Sequence, residues 1–81
     1  MFVTVKLFAR LREIAGAGEM TLGLAEGAVV RDAWHALEGR HRGMAPFTST
    51  ISCAVNADYS RMTAPLKDGD EIAFLPPVSG G

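Results

Sequence analysis

From Met1 to Ala9 apolar and polar side chains alternate: Val3, Val5, Leu7 and Ala9 fall on one face, Phe2, Thr4, Lys6 and Phe8 on the other. A period of two is that of a β-strand. Thr4 and Lys6 mark the second face as the solvent side, so the first is assigned to the core and Phe8 becomes an apolar ring on the outer face. Arg10 to Ala15 reads as a short helical or turn-like segment, stopped by Gly16 and Gly18. Alternation resumes from Glu19 to Leu24, with Met20, Leu22 and Leu24 inward. This second strand forms a hairpin with the first across a long connection.

The period then changes. After the break at Glu26-Gly27, Val30, Ala33, Trp34, Leu37 and His41 recur at helical spacing. Burial of Trp34 and Leu37 contributes about 1.5–3 kcal/mol each. Neither Ala28 nor Val29 has a side chain suited to cap this helix. Gly39 and Gly43 bracket its end, and His41 closes it where a cation is mildly favoured. Gly43 to Ser49, with Pro46, reads as a loop. A third strand runs from Thr50 to Asn56 with Ile51, Cys53 and Val55 inward. Asn56-Ala57-Asp58 has turn chemistry, and Tyr59 to Met62 forms a short return strand. Lys67-Asp68-Gly69-Asp70 is a turn signal. Glu71 to Leu75 is the last strand, with Ile72 and Phe74 inward, ended by Pro76-Pro77, which cannot donate to a sheet ladder. One main helix on one face of a mixed sheet of about five strands is an α+β arrangement.

Eighty-one residues make one domain, 1–81, with 76–81 as a flexible functional tail. Starting at Met1 and ending at Gly80-Gly81, the chain is expected to be a complete product. Hydrophobic residues at 48% and charged residues at 21% suit a soluble globule and argue against disorder. A core this small leaves little room for an enclosed active site, which favours a carrier or binding module over a self-sufficient enzyme. Eight basic and nine acidic residues give a net charge of -1, so no nucleic-acid partner is expected. No apolar run reaches membrane-spanning length, and Lys6 and Arg10 interrupt any signal-peptide pattern. With a lone Cys53, these features place the chain in the cytoplasm.

The tail carries the chemistry. Residues 76–81 read Pro-Pro-Val-Ser-Gly-Gly. The prolines favour an extended exit from the sheet. The last five residues then reach roughly 16–18 Å, at about 3.3–3.6 Å each. Gly80 and Gly81 lack side chains, so they can thread a narrow channel and take backbone angles closed to other residues. A reaction that brings the chain's own carboxylate into another protein's active site needs those properties. A terminal Gly-Gly alone is weak evidence, since termini usually fray; its place directly after the final strand strengthens it.

This ending resembles that of one family when combined with Leu66-Lys67-Asp68-Gly69-Asp70-Glu71-Ile72-Ala73-Phe74-Leu75, the opening Val5-Lys6-Leu7-Phe8-Ala9-Arg10-Leu11-Arg12-Glu13 and Ala54-Val55-Asn56. The family is the small, sulfur-carrier subunit of molybdopterin synthase, the MoaD family. The resemblance spans essentially the whole chain. It implies a ubiquitin-like β-grasp fold and a carrier that is not an enzyme on its own. An adenylyltransferase related to ubiquitin-activating enzymes (MoeB-like) would use ATP to adenylate Gly81. A sulfur donor, a cysteine desulfurase or rhodanese, would convert Gly81 to a thiocarboxylate. The tail would then enter a large MoaE-like subunit, in a heterotetramer of two small and two large subunits, and give its sulfur to the pyranopterin precursor of the molybdenum cofactor. Catalytic side chains would lie on that partner, and no cofactor would be bound here. The sequence departs from the family at Val29, where Thr is common.

Paired first and last strands would gather Phe8, Ala73 and Leu75 into an outer apolar patch, continued by Pro76, Pro77, Val78 and Ser79, which is expected to dock partners. Cys53, core-facing and without a basic neighbour in sequence, reads as an inert thiol. His35 and His41 have no partners at metal spacing, so no metal is expected. Arg10, Arg12 and Arg61 are either solvated charges or contacts for acidic groups on a partner. Three other functions compete. A sulfur carrier for thiamin thiazole synthesis has a similar ending but is usually shorter, without the Phe-Ala-Arg-Leu-Arg-Glu segment. A ubiquitin-like protein modifier would join Gly81 to lysines, and a plain interaction module would make no use of the tail.

Overall fold

The structure, a computed structural model of the chain, describes residues 1–77. Val78, Ser79, Gly80 and Gly81, all named above as site residues, lie outside the described residues. Strand β1 (Phe2–Leu7) runs into helix α1 (Ala9–Ala15), then β2 (Glu19–Gly23), the main helix α2 (Val30–Arg40), a 3-10 segment (Arg42–Phe47), and strands β3 (Ser52–Val55), β4 (Asp58–Ser60) and β5 (Glu71–Leu75).

The five strands form one sheet in the order β2-β1-β5-β3-β4. The central pair, β1 and β5, is parallel, with Val5 opposite Ile72 and Leu7 opposite Phe74. The other neighbours are antiparallel: β1 with β2, β5 with β3, and β3 with β4. This mixed α+β sheet is the β-grasp arrangement expected above. Inward residues of the strands, Val3, Val5, Leu7, Leu22, Cys53, Ile72 and Phe74, join Val30, Ala33, Trp34 and Leu37 of α2 in one buried cluster. Trp34 meets Phe74 with ring centroids 5.1 Å apart at a tilt of 59°, a favoured aromatic geometry.

Several sequence expectations are corrected. β1 ends at Leu7, so Ala9 is not a core-facing strand residue; it opens α1 and is exposed. The backbone turns at Ala9, with φ +50, and the fully buried Leu11 fills the core beneath instead. The 43–49 stretch is not simply a loop. Arg42 to Phe47 forms a 3-10 helix that carries Met44 into the core. The return strand is Asp58–Ser60 rather than Tyr59–Met62. A two-residue turn at Asn56-Ala57 starts the pairing at once, with Val55 opposite Asp58.

Candidate functional site

Because β1 and β5 run parallel, their C-terminal ends lie side by side. Leu7 pairs with Phe74, so Phe8 and Leu75 are the next residues on neighbouring strands. Phe8 is 43% exposed and precedes the first turn of α1 in an extended conformation. Its carbonyl accepts hydrogen bonds from the Leu11 and Arg12 amides, at 3.1 and 3.4 Å. The left-handed Ala9 thus swings the chain off the end of the sheet while Phe8 stays at the end of the strand. On the outer face Ala73 sits between Lys6 on one side and Ala54 on the other, and Leu75 faces Ser52. Ala73, Leu75 and Pro76 are half-buried and Pro77 is exposed. The described members of the expected patch are therefore brought to one end of the sheet, where the chain leaves for the tail.

The register adds a residue that the sequence reading did not assign. Tyr59 lies opposite Ala54 and is 82% exposed, the most exposed large apolar side chain among the described residues. It extends the row Lys6–Ala73–Ala54 to the β4 edge. The signal was the two-residue turn, which fixes the parity of β4 and puts Tyr59 on the outer face.

Charges flank this surface. Lys6 Nζ lies 3.3 Å from a Glu71 carboxylate oxygen across the central pair, and Arg10 pairs with Glu13 at 2.9 Å. The other candidates play no part. Cys53 is buried, its Sγ donates to the Ser60 carbonyl at 3.1 Å, and burial pushes its thiol pKa up, away from the nucleophilic thiolate. His35 is exposed, 3.8 Å from Glu38. His41 caps α2, its amide donating to the Leu37 carbonyl at 2.8 Å. Among the described residues no three His, Cys, Asp or Glu side chains gather closely enough to hold a metal ion, and no helix is long and apolar enough to cross a membrane. The arrangement is a strand end, Leu75 to Pro77, that leaves the sheet beside a shallow, partly apolar face.

A ubiquitin-like mixed sheet whose last strand is followed in sequence by a terminal Gly-Gly defines a class of small β-grasp proteins. Residues 5–81 match the ThiS family, and the chain belongs to that family. It is 39% identical over 83 residues to the molybdopterin synthase sulfur carrier subunit of Chlamydomonas reinhardtii, covering 100% of both chains. The crystal structure of SAMP1 from Haloferax volcanii, small archaeal modifier protein 1, superposes with a TM-score of 0.84 at 32% identity, again over 100% of both chains. A chain from the complex of subunits 1 and 2 of the molybdopterin-converting factor of Helicobacter pylori 26695 matches with a TM-score of 0.67 at 27% identity and full coverage of both.

Proposed function

We propose that this chain is the sulfur-carrier subunit of a molybdopterin synthase and that Gly81 is its working residue. The observation that carries this reading is the arm's root: Leu75, Pro76 and Pro77 leave the sheet beside Phe8 and Ala73. A partner seated on that face receives the tail in a defined direction.

A free carboxylate is a poor electrophile. An activating enzyme of the ubiquitin-activating type (MoeB-like) joins the Gly81 carboxylate to the AMP of ATP and releases pyrophosphate. A persulfide sulfur supplied by a cysteine desulfurase or rhodanese displaces AMP, and a second thiol attacks the enzyme-side sulfur of the resulting acyl disulfide, forming a new disulfide and leaving a thiocarboxylate on Gly81. The arm then enters the large MoaE-like subunit, in a complex of two small and two large subunits. There its sulfur is delivered to the pyranopterin precursor. Side chains of the partner perform the catalysis, so the small subunit is not an enzyme alone and holds no cofactor of its own; ATP belongs to the activating step. All of this takes place in the cytoplasm. Phe8, Ala73, Leu75, Pro76, Pro77, Val78 and Ser79 form the surface and stem that the partners grip, while Gly80 and Gly81 enter the active sites.

Intact mass after incubation with the adenylating enzyme, ATP and a sulfur donor tests the proposal. The expected result is replacement of one oxygen by sulfur at Gly81. An unchanged mass, with the same enzyme active on a known carrier, overturns it. The likeness to a small archaeal modifier protein supports a second reading, in which activated Gly81 acylates lysines. Conjugates that survive thiol reductants would mark that activity.

A further inference from the structure

A net charge of -1 conceals an uneven distribution. The register leaves a net acidic end of the sheet, where Lys67 stands among the carboxylates, and a net basic end, where Glu13 and Glu19 stand among the cations. At the end where β5 begins, Asp68 accepts a hydrogen bond from the Phe2 amide at 2.7 Å, Glu71 pairs in register with Thr4, and Asp58 opens β4 opposite Val55. Asp70 belongs to the same end, its carbonyl accepting from the Thr4 amide at 2.9 Å. The arm leaves from the other end. Arg61 directly follows β4, one position beyond Ser60, which pairs with Cys53. It is therefore level with Ser52 and Leu75. On the opposite flank Arg12 lies across Gly18, its Nε 3.2 Å from where a Cβ on that glycine would sit. The Gly18 carbonyl in turn accepts from the Leu7 amide at 2.9 Å, which fixes this contact at the same end of the sheet.

Arg12 and Arg61 are exposed, and among the described residues no carboxylate comes within ion-pair distance of either. Nearby Arg10 is already engaged by Glu13 and Lys6 by Glu71, and Glu19 stands on β2 opposite Lys6. Two free guanidinium groups thus bracket the apolar row at the root of the arm. Guanidinium forks suit carboxylates, which they bind bidentately.

We infer that Arg12 and Arg61 form a charged gauge that orients the carrier on its receiving partner, and that this partner presents Asp or Glu carboxylates on both sides of the channel that takes the tail. The inference rests on the proposed function, in which the receiving partner is the large synthase subunit. An acidic rim attracts the arm's end of the carrier and repels the Asp58–Asp68–Asp70 end. A carrier approaching backwards, with the arm pointing away from the channel, is rejected before contact. Charges on the rim of an interface act mainly on the rate and direction of encounter rather than on the lifetime of the complex.

The test measures association and dissociation rates of the full chain with the large subunit of the same organism, at ionic strengths of about 0.05 and 0.5 M, which bracket strong and weak screening. At the lower value Arg12→Glu and Arg61→Glu are each expected to slow association about tenfold, with dissociation and melting temperature unchanged; at the higher value the difference collapses. Arg40→Glu makes the same charge change on α2, away from the outer face, and is expected to leave association within about twofold of the parent. Arg12→Gln, which keeps the cover over Gly18 without the charge, is expected to fall between the parent and Arg12→Glu. Rates for Arg12→Glu and Arg61→Glu that match Arg40→Glu at low salt overturn the inference, and so does a charge effect seen only with the activating enzyme. If Gly81 is still converted to a thiocarboxylate in that case, the proposed function stands and only the gauge fails. A chain that never gains sulfur removes the reading beneath both.

Discussion

At the scale of single residues, the turn between β3 and β4 carries the clearest local strain. Asn56 and Ala57 have φ of +50 and +71, the pattern of a type I′ hairpin turn. Asn tolerates the left-handed region; alanine is penalised there by about 1–2 kcal/mol. Ala57→Gly is expected to raise unfolding stability by about 0.5–1 kcal/mol after glycine's extra chain entropy is counted, as read from chemical denaturation midpoints. Asn56 also ties the hairpin to β5. Its side chain accepts from the Glu71 amide at 3.0 Å and donates to Asp70 at 2.9 Å, while Asp70 accepts from the Lys67 amide at 2.8 Å. The Asn56 bond first, and the Lys67 amide second, hold the Asp70 carboxyl below the ordinary aspartate value near 3.8. A lowered folded value means stability that is present in full above the ordinary value and is lost as pH falls through the folded one. The Asp70→Asn variant is therefore expected to lose less stability than the parent below about pH 4 in melting curves taken across acid pH. Turn chemistry at 56–58 and 67–70 was legible in the residues. The bonds joining the two turns were not, because no local pattern reports a partner 14 residues away.

At the scale of elements, α2 shows how a start signal can be misread. Val29 has no capping side chain, and the sequence gives the helix a weak beginning on that ground. Asp32 supplies the cap from inside the first turn: its carboxylate accepts from the Val29 amide at 2.8 Å, and the Asp32 amide donates to the Val29 carbonyl at 2.9 Å. This is the returning half of a capping box without the Ser or Thr half. An acidic residue near the N-terminus also complements the helix dipole. Asp32→Ala is expected to cost about 1 kcal/mol in thermal or chemical unfolding, whereas a weak cap at Val29 alone predicts no loss. The 3-10 segment was hidden for another reason. Pro46 and Gly43 look like loop residues, but the stretch is held from outside, by Trp34 Nε1 donating to Thr48 Oγ at 3.0 Å and Thr48 donating to Glu38 at 2.8 Å. Phe2, 65% exposed on the outer face, has an equally structural explanation. Its ring lies 3.3 Å from where a Cβ on Gly23 would sit, directly across the β1–β2 pair. An aromatic covering a cross-strand glycine needs no partner to account for it.

At the scale of the whole molecule, alternation alone found the inner and outer faces of β1 and β5, and with them Ala73 and Leu75. What it could not supply was strand order. The parallel central pair converts two separate strand ends into one surface at the root of the arm, and only the β3–β4 register adds Tyr59 to it. That geometry separates folding from docking in adjacent positions. Phe74 is fully buried against Trp34, while Leu75 points outward beside Ser52 and is only half-buried. In Leu75→Glu the carboxylate stays in water in the free protein, so the melting temperature is expected to change little, by the equivalent of about 1 kcal/mol or less. Once a partner covers the face, the same carboxylate must be desolvated against a partner surface that offers it no opposite charge. That costs about 2–3 kcal/mol and weakens binding roughly 30- to 150-fold. If one face serves both partners in turn, adenylation of Gly81 and affinity for the large subunit should fall together in Leu75→Glu. A variant that is adenylated normally but no longer binds the large subunit would show that the two partners grip different parts of the carrier.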